Sequence, residues 1–213
     1  GGTAAEHDGQ YDHREVEITD GRGRAFELDR AGLMLTSHDS AVTDFHDDDA
    51  LASTYEDEAR ALITQMTGAG RVVIFDHTRR AASDGLRRSR TMREPSAVIH
   101  NDYTPWSAER RLRDILPDEA DALMMNRFAI INIWRSIAGT VETNPLAFCD
   151  SGTLAADDLV EVTRQAKDRV GQIQMARFNP AHEWYYYPAM KPMEAALIKT
   201  YDSATDGRTR FTI

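Results

Sequence analysis

A histidine and an aspartate separated by one residue, His100 and Asp102, follow a short apolar run in the segment SAVIHNDYTP at residues 96–105. Side chains alternate between the two faces of a β-strand, so residues i and i+2 point the same way. If residues 97–99 begin a strand, His100 and Asp102 share one face and Asn101 points away. An imidazole nitrogen and a carboxylate oxygen suit zinc, iron or manganese, and two such ligands leave room for a third side chain and substrates.

The same spacing occurs elsewhere in the chain, so spacing alone does not identify a site. His46 and Asp48 share it, and His13 and Glu15 form a similar pair with a glutamate. His46 and Asp48 precede a helical pattern, where carboxylates favour the helix N-terminus, so we interpret them as helix-start residues. For His100, two interpretations remain open: a metal ligand, or a strand-end histidine hydrogen-bonded to Asp102. The aromatic segment YTPW that follows would suit the wall of a small-molecule pocket.

The composition predicts one soluble globular domain over residues 1–213. Of the 213 residues, 41% are hydrophobic and 28% are charged, and the net charge is -10. This acidic balance argues against binding to nucleic acid or to an anionic membrane. The single cysteine, Cys149, cannot form an internal disulfide, which favours a reducing compartment. No apolar run is long enough to span a bilayer and residues 1–13 lack the apolar core of a signal peptide, so we expect a cytoplasmic location.

The periodicity of apolar residues predicts a mainly β protein with flanking helices. We expect an N-terminal extension over about 11–67, with a hairpin at 15–28 and an amphipathic helix at 49–67, before a barrel core over about 71–213. A second helical stretch at about 108–125 is interrupted by Pro117. EAALIK at 194–199, which overlaps the predicted strand at 195–202, could equally be a turn of helix after Pro192. Strands are predicted at 71–80, 127–137, 145–150, 171–178, 182–188, 195–202 and 208–213.

Further polar residues are candidates for the same site. Asn132 lies in a nearly continuous apolar strand, where a buried amide needs partners, so it would orient a ligand or satisfy the neighbouring backbone. Arg135 suits a carboxylate or a salt bridge, but its parity opposes that of Asn132. His182 is an alternative metal ligand. The arginines at 79–93 would form either a lid over an anionic cosubstrate or substrate, or a solvated loop. The candidate substrate contacts are Arg79, Tyr103 and Trp134.

Several segments together resemble one known family. FDHTRR, VIHNDYTP, INIWRSI, PLAFCDS, HEWYYYPAM and KTYDS, in this order, resemble the CmcJ/NvfI-type oxidoreductases, which include hydroxylase/desaturases, a cephem methoxylase component and a fungal endoperoxide-forming oxygenase. The resemblance extends from about Tyr11 to Ile213. It implies a double-stranded β-helix of the jelly-roll or cupin type, with a non-haem Fe(II) site that uses 2-oxoglutarate and O2.

The resemblance assigns iron ligation to His100 and Asp102 specifically. It implies that the third ligand and an arginine for the cosubstrate carboxylate lie beyond Ile213, so we expect a chain that lacks its last strands and is a poor enzyme alone. Asn132 and Arg135 are the cofactor-binding candidates among the residues present. The implied substrate is a small secondary metabolite, and a homo-oligomer is compatible with the family. Two alternatives stay open: a catalytically silent partner subunit, and a metal-dependent β-barrel enzyme that uses no keto acid.

Overall fold

The computed structural model describes residues 13–90, 92–166 and 169–213; residues 11–12 of the expected extension lie outside these ranges. The described part is a set of β-sheets with flanking helices, as the sequence predicts. The strands are β1 (Ile18–Asp20), β2 (Leu33–Ser37), β3 (Ala129–Trp134), β4 (Ala147–Cys149), β5 (Leu159–Ala166), β6 (Arg169–Ala176), β7 (Trp184–Tyr186) and β8 (Glu194–Asp202). The helices are α1 (Asp48–Ala50), α2 (Glu56–Thr67), α3 (Asp84–Arg90), α4 (Pro105–Ile115) and α5 (Ala120–Met124).

Strand β8 lies at the centre of the core. It is hydrogen-bonded between β2 and β3 and runs antiparallel to both, so the ambiguous EAALIK segment is a strand. On one face of this sheet, Leu197 packs with Leu62 and Ile63 of α2. The adjacent residue Ala196 packs with Phe148 and Tyr185, which belong to a second sheet of order β1-β7-β4. The β2-β8-β3 sheet is therefore covered by a helix on one face and by another sheet on the other.

The predicted amphipathic helix at 49–67 is confirmed. It is continuous from α1 through a π-helical turn at Leu51–Tyr55 into α2. Asp47 caps it, because its carboxylate accepts hydrogen bonds from N–H groups of the first turn, including that of Asp49 at 3.0 Å. Such a cap satisfies donors that have no partner within the helix. Gly68 ends α2 in the left-handed conformation, with φ of 70°.

The predicted interruption near Pro117 is also confirmed, since α4 ends before it and α5 starts after it. Helix α4 begins with a capping box: Ser107 N–H donates to Thr104 Oγ1 at 3.2 Å, and Thr104 N–H donates to Ser107 Oγ at 2.9 Å. Both side chains also reach β6, where they donate to the carbonyl and the side chain of Gln172 at 2.8 and 2.9 Å. The start of α4 is thereby fixed to β6.

The predicted hairpin at 15–28 is wrong. Strand β1 instead pairs in parallel with β7, and Gly21 N–H donates to Tyr186 O at 2.9 Å. The turn residue Arg22 continues this attachment through two hydrogen bonds to the Glu194 carboxylate, at 2.7 and 2.9 Å. Tertiary pairing with a distant strand therefore replaces the local pairing that the Asp-Gly turn suggests.

Two further predicted strands are not formed within the described chain. Segment 71–80 is extended, but its assigned pairing is limited to a parallel bridge between Arg80 and Arg93. Segment 208–213 follows an irregular path and is fixed by separate hydrogen bonds, such as Cys149 N–H to Ile213 O at 2.8 Å. In both segments the alternating pattern lacks a partner ladder. Strand β5, which the sequence analysis missed, pairs with β6 over its whole length.

Gly32 provides a direct test of this packing. Its φ is +75°, and a Cβ built on it would lie 1.9 Å from Oγ1 of Thr212, which donates a hydrogen bond to Gly32 O at 2.9 Å. Gly32→Ala combines backbone strain with this clash, so we expect it to lower the free energy of unfolding by about 3 kcal/mol. Gly68→Ala is the control, because its φ is +70° but a Cβ there meets nothing within 4 Å. Gly68→Ala should lower the free energy of unfolding by about 1 kcal/mol, measured by urea denaturation. Equal losses in the two variants would contradict the close contact at Gly32.

Candidate metal centre

His100 and Asp102 face each other, as the i, i+2 spacing predicts. His100 Nε2 lies 3.6 Å from Asp102 Oδ1. The remaining polar atoms of both side chains are already bonded to protein: His100 Nδ1 lies 2.8 Å from Val98 O, and Asp102 Oδ2 accepts from Asn132 Nδ2 at 2.8 Å. Because a carbonyl only accepts hydrogen bonds, the proton of a neutral His100 ring is on Nδ1. Nε2 and Oδ1 then present lone pairs to one shared point.

His100 and Asp102 together form a two-ligand corner. The alternation that puts their side chains on one side does not come from an extended strand. Residues 97–99 form none, and the loop is instead fixed by a bridge between Asn101 and Gln174 of β6. Their backbone groups exchange hydrogen bonds of 2.8 and 2.9 Å. The buried Asn101 side chain points away from His100 and donates to Tyr103 O at 2.6 Å and to Gln174 Oε1 at 3.1 Å. One bridged residue is enough to put its two neighbours on the opposite side.

The geometry fits two ligands of one ion. Ligand atoms about 2.0–2.2 Å from a metal are about 2.8–3.8 Å apart when the angle between them is about 90–120°. The separation of 3.6 Å between Nε2 and Oδ1 falls within this range. Carbonyl and amide partners behind the two ligands are the kind that orient metal-binding side chains. The described residues contain no group of three or more His, Cys, Asp or Glu side chains suited to a metal, so they supply a two-ligand corner.

The same two atoms also suit a shared proton. The hydrogen bond with Asp102 raises the pKa of His100, against the opposing effect of burial. Burial by itself would raise the pKa of Asp102, but hydrogen bonds from His100 and Asn132 leave it below its usual value. Without a metal, His100 therefore holds a second proton more tightly than a free imidazole does. A cation at this point would take the place of that proton.

Of the two predicted cofactor-binding residues, Asn132 is the one that contacts His100 or Asp102. It lies on β3, which has a register shift between Ile130 and Ile131, and donates to Asp102. Arg135 follows β3 with the opposite parity, and its guanidinium contacts the His38 ring at 3.1 Å and donates to the carbonyls of His38 and Pro192. None of these contacts leads to His100 or Asp102.

His182 does not join the corner as a third ligand, which corrects the alternative weighed from the sequence. Its side chain is almost fully buried, and Nε2 lies 2.9 Å from Oδ2 of Asp158. Asn179 Nδ2 also donates to the Asp158 carboxylate, at 3.2 and 3.3 Å. His182 thus belongs to a separate polar cluster beside β7, which explains its burial without a metal.

The corner opens into a cavity of about 2060 Å³. The predicted substrate contacts Arg79, Tyr103 and Trp134 all line it. Tyr103 is largely buried in an apolar cluster, and Arg79 is bonded to Phe45 O at 2.7 Å and paired with a carboxylate of α1. Trp134 is half-buried at the end of β3. All three are therefore wall residues, and Arg79 is already engaged with protein groups.

Sequence reasoning missed Gln172 and Gln174, which hold the loop and the start of α4 around the corner. They lie two residues apart on β6, in the segment GQIQMARF. Glutamines at i and i+2 between apolar residues give a strand one polar face. That regular pattern was the available signal, although it carried no information about which loop the two amides would bind.

Comparison with known proteins identifies the family. Residues 2–213 match a family model described as the oxidoreductase/YMDC permease-like domain. The hydroxylase/desaturase CTB9 of Cercospora beticola is 30% identical to this chain, with 99% of the chain and 72% of CTB9 covered. The chain belongs to the CmcJ/NvfI-type oxidoreductase family. The hydroxylase/desaturase efuI of Hormonema carpetanum is also 30% identical, and the match covers 94% of this chain and 76% of efuI. This similarity agrees with membership of the CmcJ/NvfI-type family.

A solved structure of the CmcJ/NvfI-type family supports the same conclusion. The iron and alpha-ketoglutarate-dependent endoperoxidase NvfI superposes with a TM-score of 0.83 at 25% sequence identity. The match covers 92% of this chain and 75% of the NvfI chain. Within the part of the chain that the structure describes, no helix is both long and apolar enough to cross a membrane.

Proposed function

We propose that this chain is a non-haem Fe(II)/2-oxoglutarate-dependent oxidoreductase of the hydroxylase/desaturase type, acting on a small secondary metabolite. One observation carries the proposal. His100 Nε2 and Asp102 Oδ1 face one point at the edge of a large cavity, while the other polar atoms of both side chains are bonded to protein. Family membership gives this arrangement its chemistry.

In this proposal each residue at the corner has a defined role. His100 and Asp102 hold the iron, Val98 O fixes the proton of His100 on Nδ1, and Asn132 keeps Asp102 Oδ2 away from the metal. Bound Fe(II), with 2-oxoglutarate and O2, supplies the oxidation of an unactivated C–H bond. The cavity walls position the substrate and exclude water. Whether hydroxylation or desaturation follows depends on where these walls hold the carbon that reacts.

The remaining parts of the site belong to the same proposal. The described residues form no three-ligand set, so in this proposal the third metal ligand and the arginine for the cosubstrate carboxylate lie outside the described residues. The three-stranded sheets β2-β8-β3 and β1-β7-β4 would be parts of a double-stranded β-helix. The superposition on NvfI supports this arrangement.

The test is an anaerobic titration of the natural full-length protein with Fe(II) and then with 2-oxoglutarate. We expect a weak visible charge-transfer band when both are bound, and release of succinate when O2 and a substrate are added. Binding of metal without 2-oxoglutarate would favour the β-barrel enzyme that uses no keto acid. No metal binding at all would favour the catalytically silent subunit, the alternative that the two-ligand corner by itself would fit.

Asn132 offers a sharper test of the arrangement around Asp102. Asn132→Ala removes the donor to Asp102 Oδ2 and frees the carboxylate to rotate. Loss of such a supporting hydrogen bond should weaken Fe(II) binding about 10–100-fold, measured by competition with a chelating dye. Asn126→Ala is the control, because Asn126 is exposed beyond α5 and its amide donates to Ala122 O. Equal affinities of the two variants would contradict a positioning role for Asn132.

A further inference from the structure

Arg111 stands out among the arginines that line the cavity. It lies on α4, one helical turn after Ser107, so both residues share the face that turns toward the cavity. Its Nε is buried without a hydrogen-bond partner, and its guanidinium carbon lies 5.5 Å from the centre of the Phe75 ring. No hydrogen bond or ion pair joins the Arg111 guanidinium to any other residue that the structure describes. A buried polar group without a partner is costly in a folded protein.

Neighbouring arginines of α4 and of the cavity wall show what Arg111 lacks. Arg113, two residues later on the same helix, pairs with Asp121, and Arg71 pairs with Glu119 at 2.6 Å. Arg127 binds the buried Asp202 carboxylate at 2.6 Å. Acidic residues are abundant in this chain, yet none of the described ones reaches Arg111. The position therefore keeps a planar donor group available inside the cavity.

A second unpaired arginine lies on another wall of the same cavity. Arg164 is on β5, opposite Gly171 of β6, and both residues line the cavity. The neighbouring Gln172 accepts the hydrogen bond from Ser107 of α4, so the β5-β6 hairpin and α4 are fixed to each other beside the metal corner. Arg164 is exposed and forms no hydrogen bond or ion pair with the described residues.

The wall of the same cavity also carries exposed apolar side chains. Val73, Phe75 and Ile99 all line the cavity, with exposed fractions of 38%, 39% and 43%. Large apolar side chains exposed together usually mark a place where another apolar surface binds. The cavity thus combines apolar side chains with the unpaired guanidinium groups of Arg111 and Arg164, which is the arrangement expected for an apolar molecule that carries one anionic group.

We propose that Arg111, assisted by Arg164, binds a carboxylate of the substrate, which makes the substrate an apolar carboxylic acid. This inference rests on the proposed function. Arg111 would provide the bidentate contact, because its planar donors lie beside Phe75 and its Nε lacks a partner. Arg164 would add a more exposed and weaker contact. The cosubstrate 2-oxoglutarate is the other carboxylate that enters this cavity, so the test must separate the two.

The test uses 2-naphthoate and the uncharged 2-naphthamide as probes for the natural full-length protein without metal, by isothermal titration calorimetry. We expect 2-naphthoate to bind at least about tenfold more tightly than the amide, in line with a charge-assisted hydrogen bond. Arg111→Gln should remove this preference, and Arg164→Gln should reduce it about threefold. Arg113→Gln, on the same helix but paired with Asp121, should leave it unchanged.

A parallel titration with Fe(II) and 2-oxoglutarate separates this inference from the proposed function. Normal cosubstrate binding by Arg111→Gln, together with loss of the naphthoate preference, supports the substrate site. Loss of 2-oxoglutarate binding with an unchanged naphthoate preference would overturn it and assign Arg111 to the cosubstrate. If the protein preferred naphthoate but bound no Fe(II), the result would support the anion site and contradict the proposed function. An unchanged preference in both arginine variants would overturn the inference.

Discussion

His100→Ala is expected to weaken Fe(II) binding by more than about 100-fold and to remove the charge-transfer band formed with 2-oxoglutarate. The variant deletes one of the two side chains that face the shared point, while Asp102 keeps its hydrogen bond from Asn132. One carboxylate then has to hold the ion without its imidazole partner. The measurement is an anaerobic titration followed by absorbance, with circular dichroism to show that the variant is folded.

The chain contains its own control for this experiment. His46 and Asp48 have the same spacing as His100 and Asp102, but they lie at the start of the helix, where Asp48 pairs with Arg79. His46→Ala should therefore bind Fe(II) as tightly as the unmodified protein. If the two variants lost affinity equally, or if His100→Ala lost none, the metal would lie elsewhere and the proposed function would lose its central observation.

Lys199→Met is expected to lower the free energy of unfolding by about 3 kcal/mol. The Lys199 ammonium is almost fully buried on β8 and lies 2.5 Å from Asp29 Oδ1 and 3.0 Å from Asp202 Oδ2. It also donates to Thr209 O at 3.1 Å. Removing the ammonium leaves the fully buried Asp202 carboxylate with Arg127 as its remaining cationic partner, and breaking a buried pair from one side is strongly destabilising.

Urea denaturation at pH 7 measures this loss, and the exposed Lys191→Met is the control. The pH dependence gives a second readout. Burial opposes ionisation of Asp202, but hydrogen bonds from Arg127 and Lys199 leave its pKa below the ordinary value. A lowered pKa contributes stability above the unfolded pKa near 4, and this stability is lost as pH falls through the folded pKa. The loss of unfolding free energy on acidification should be smaller in Lys199→Met than in the unmodified protein. Identical pH profiles would contradict the interaction between Lys199 and Asp202.

Local patterns predicted the elements that local interactions determine. The helix at 49–67 has apolar residues at helical spacing, an aspartate cap and a closing glycine, and all of these features hold in the structure. The failures involve distant partners. Residues 15–28 have a good turn sequence, yet β1 pairs with β7, about 165 residues later in the chain. Segment 71–80 has the composition of a buried strand, but among the described residues its pairing is limited to one isolated bridge at Arg80.

The candidate site was predictable to the same extent. Spacing put His100 and Asp102 on one side, and the structure brings their side chains together. Parity opposed Asn132 to Arg135; both line the cavity, but their side chains bond to different groups. Spacing did not reveal that Asn101 and Gln174 create the alternation in place of a strand. Nor did it distinguish Arg111 from the paired arginines, because the partner of a charged side chain depends on the whole fold.

The central position of β8 also sets the order in which the protein is able to fold. Strands β2 and β3 have no ladder between them and are joined through β8, so their sheet cannot form until residue 202 has been synthesised. Until then, the apolar strand β3 has no partner strand for its backbone N–H and C=O groups. Such late closure of long-range pairs slows folding and exposes intermediates to aggregation. We therefore expect the β2-β8-β3 sheet to form only after β8 has left the ribosome.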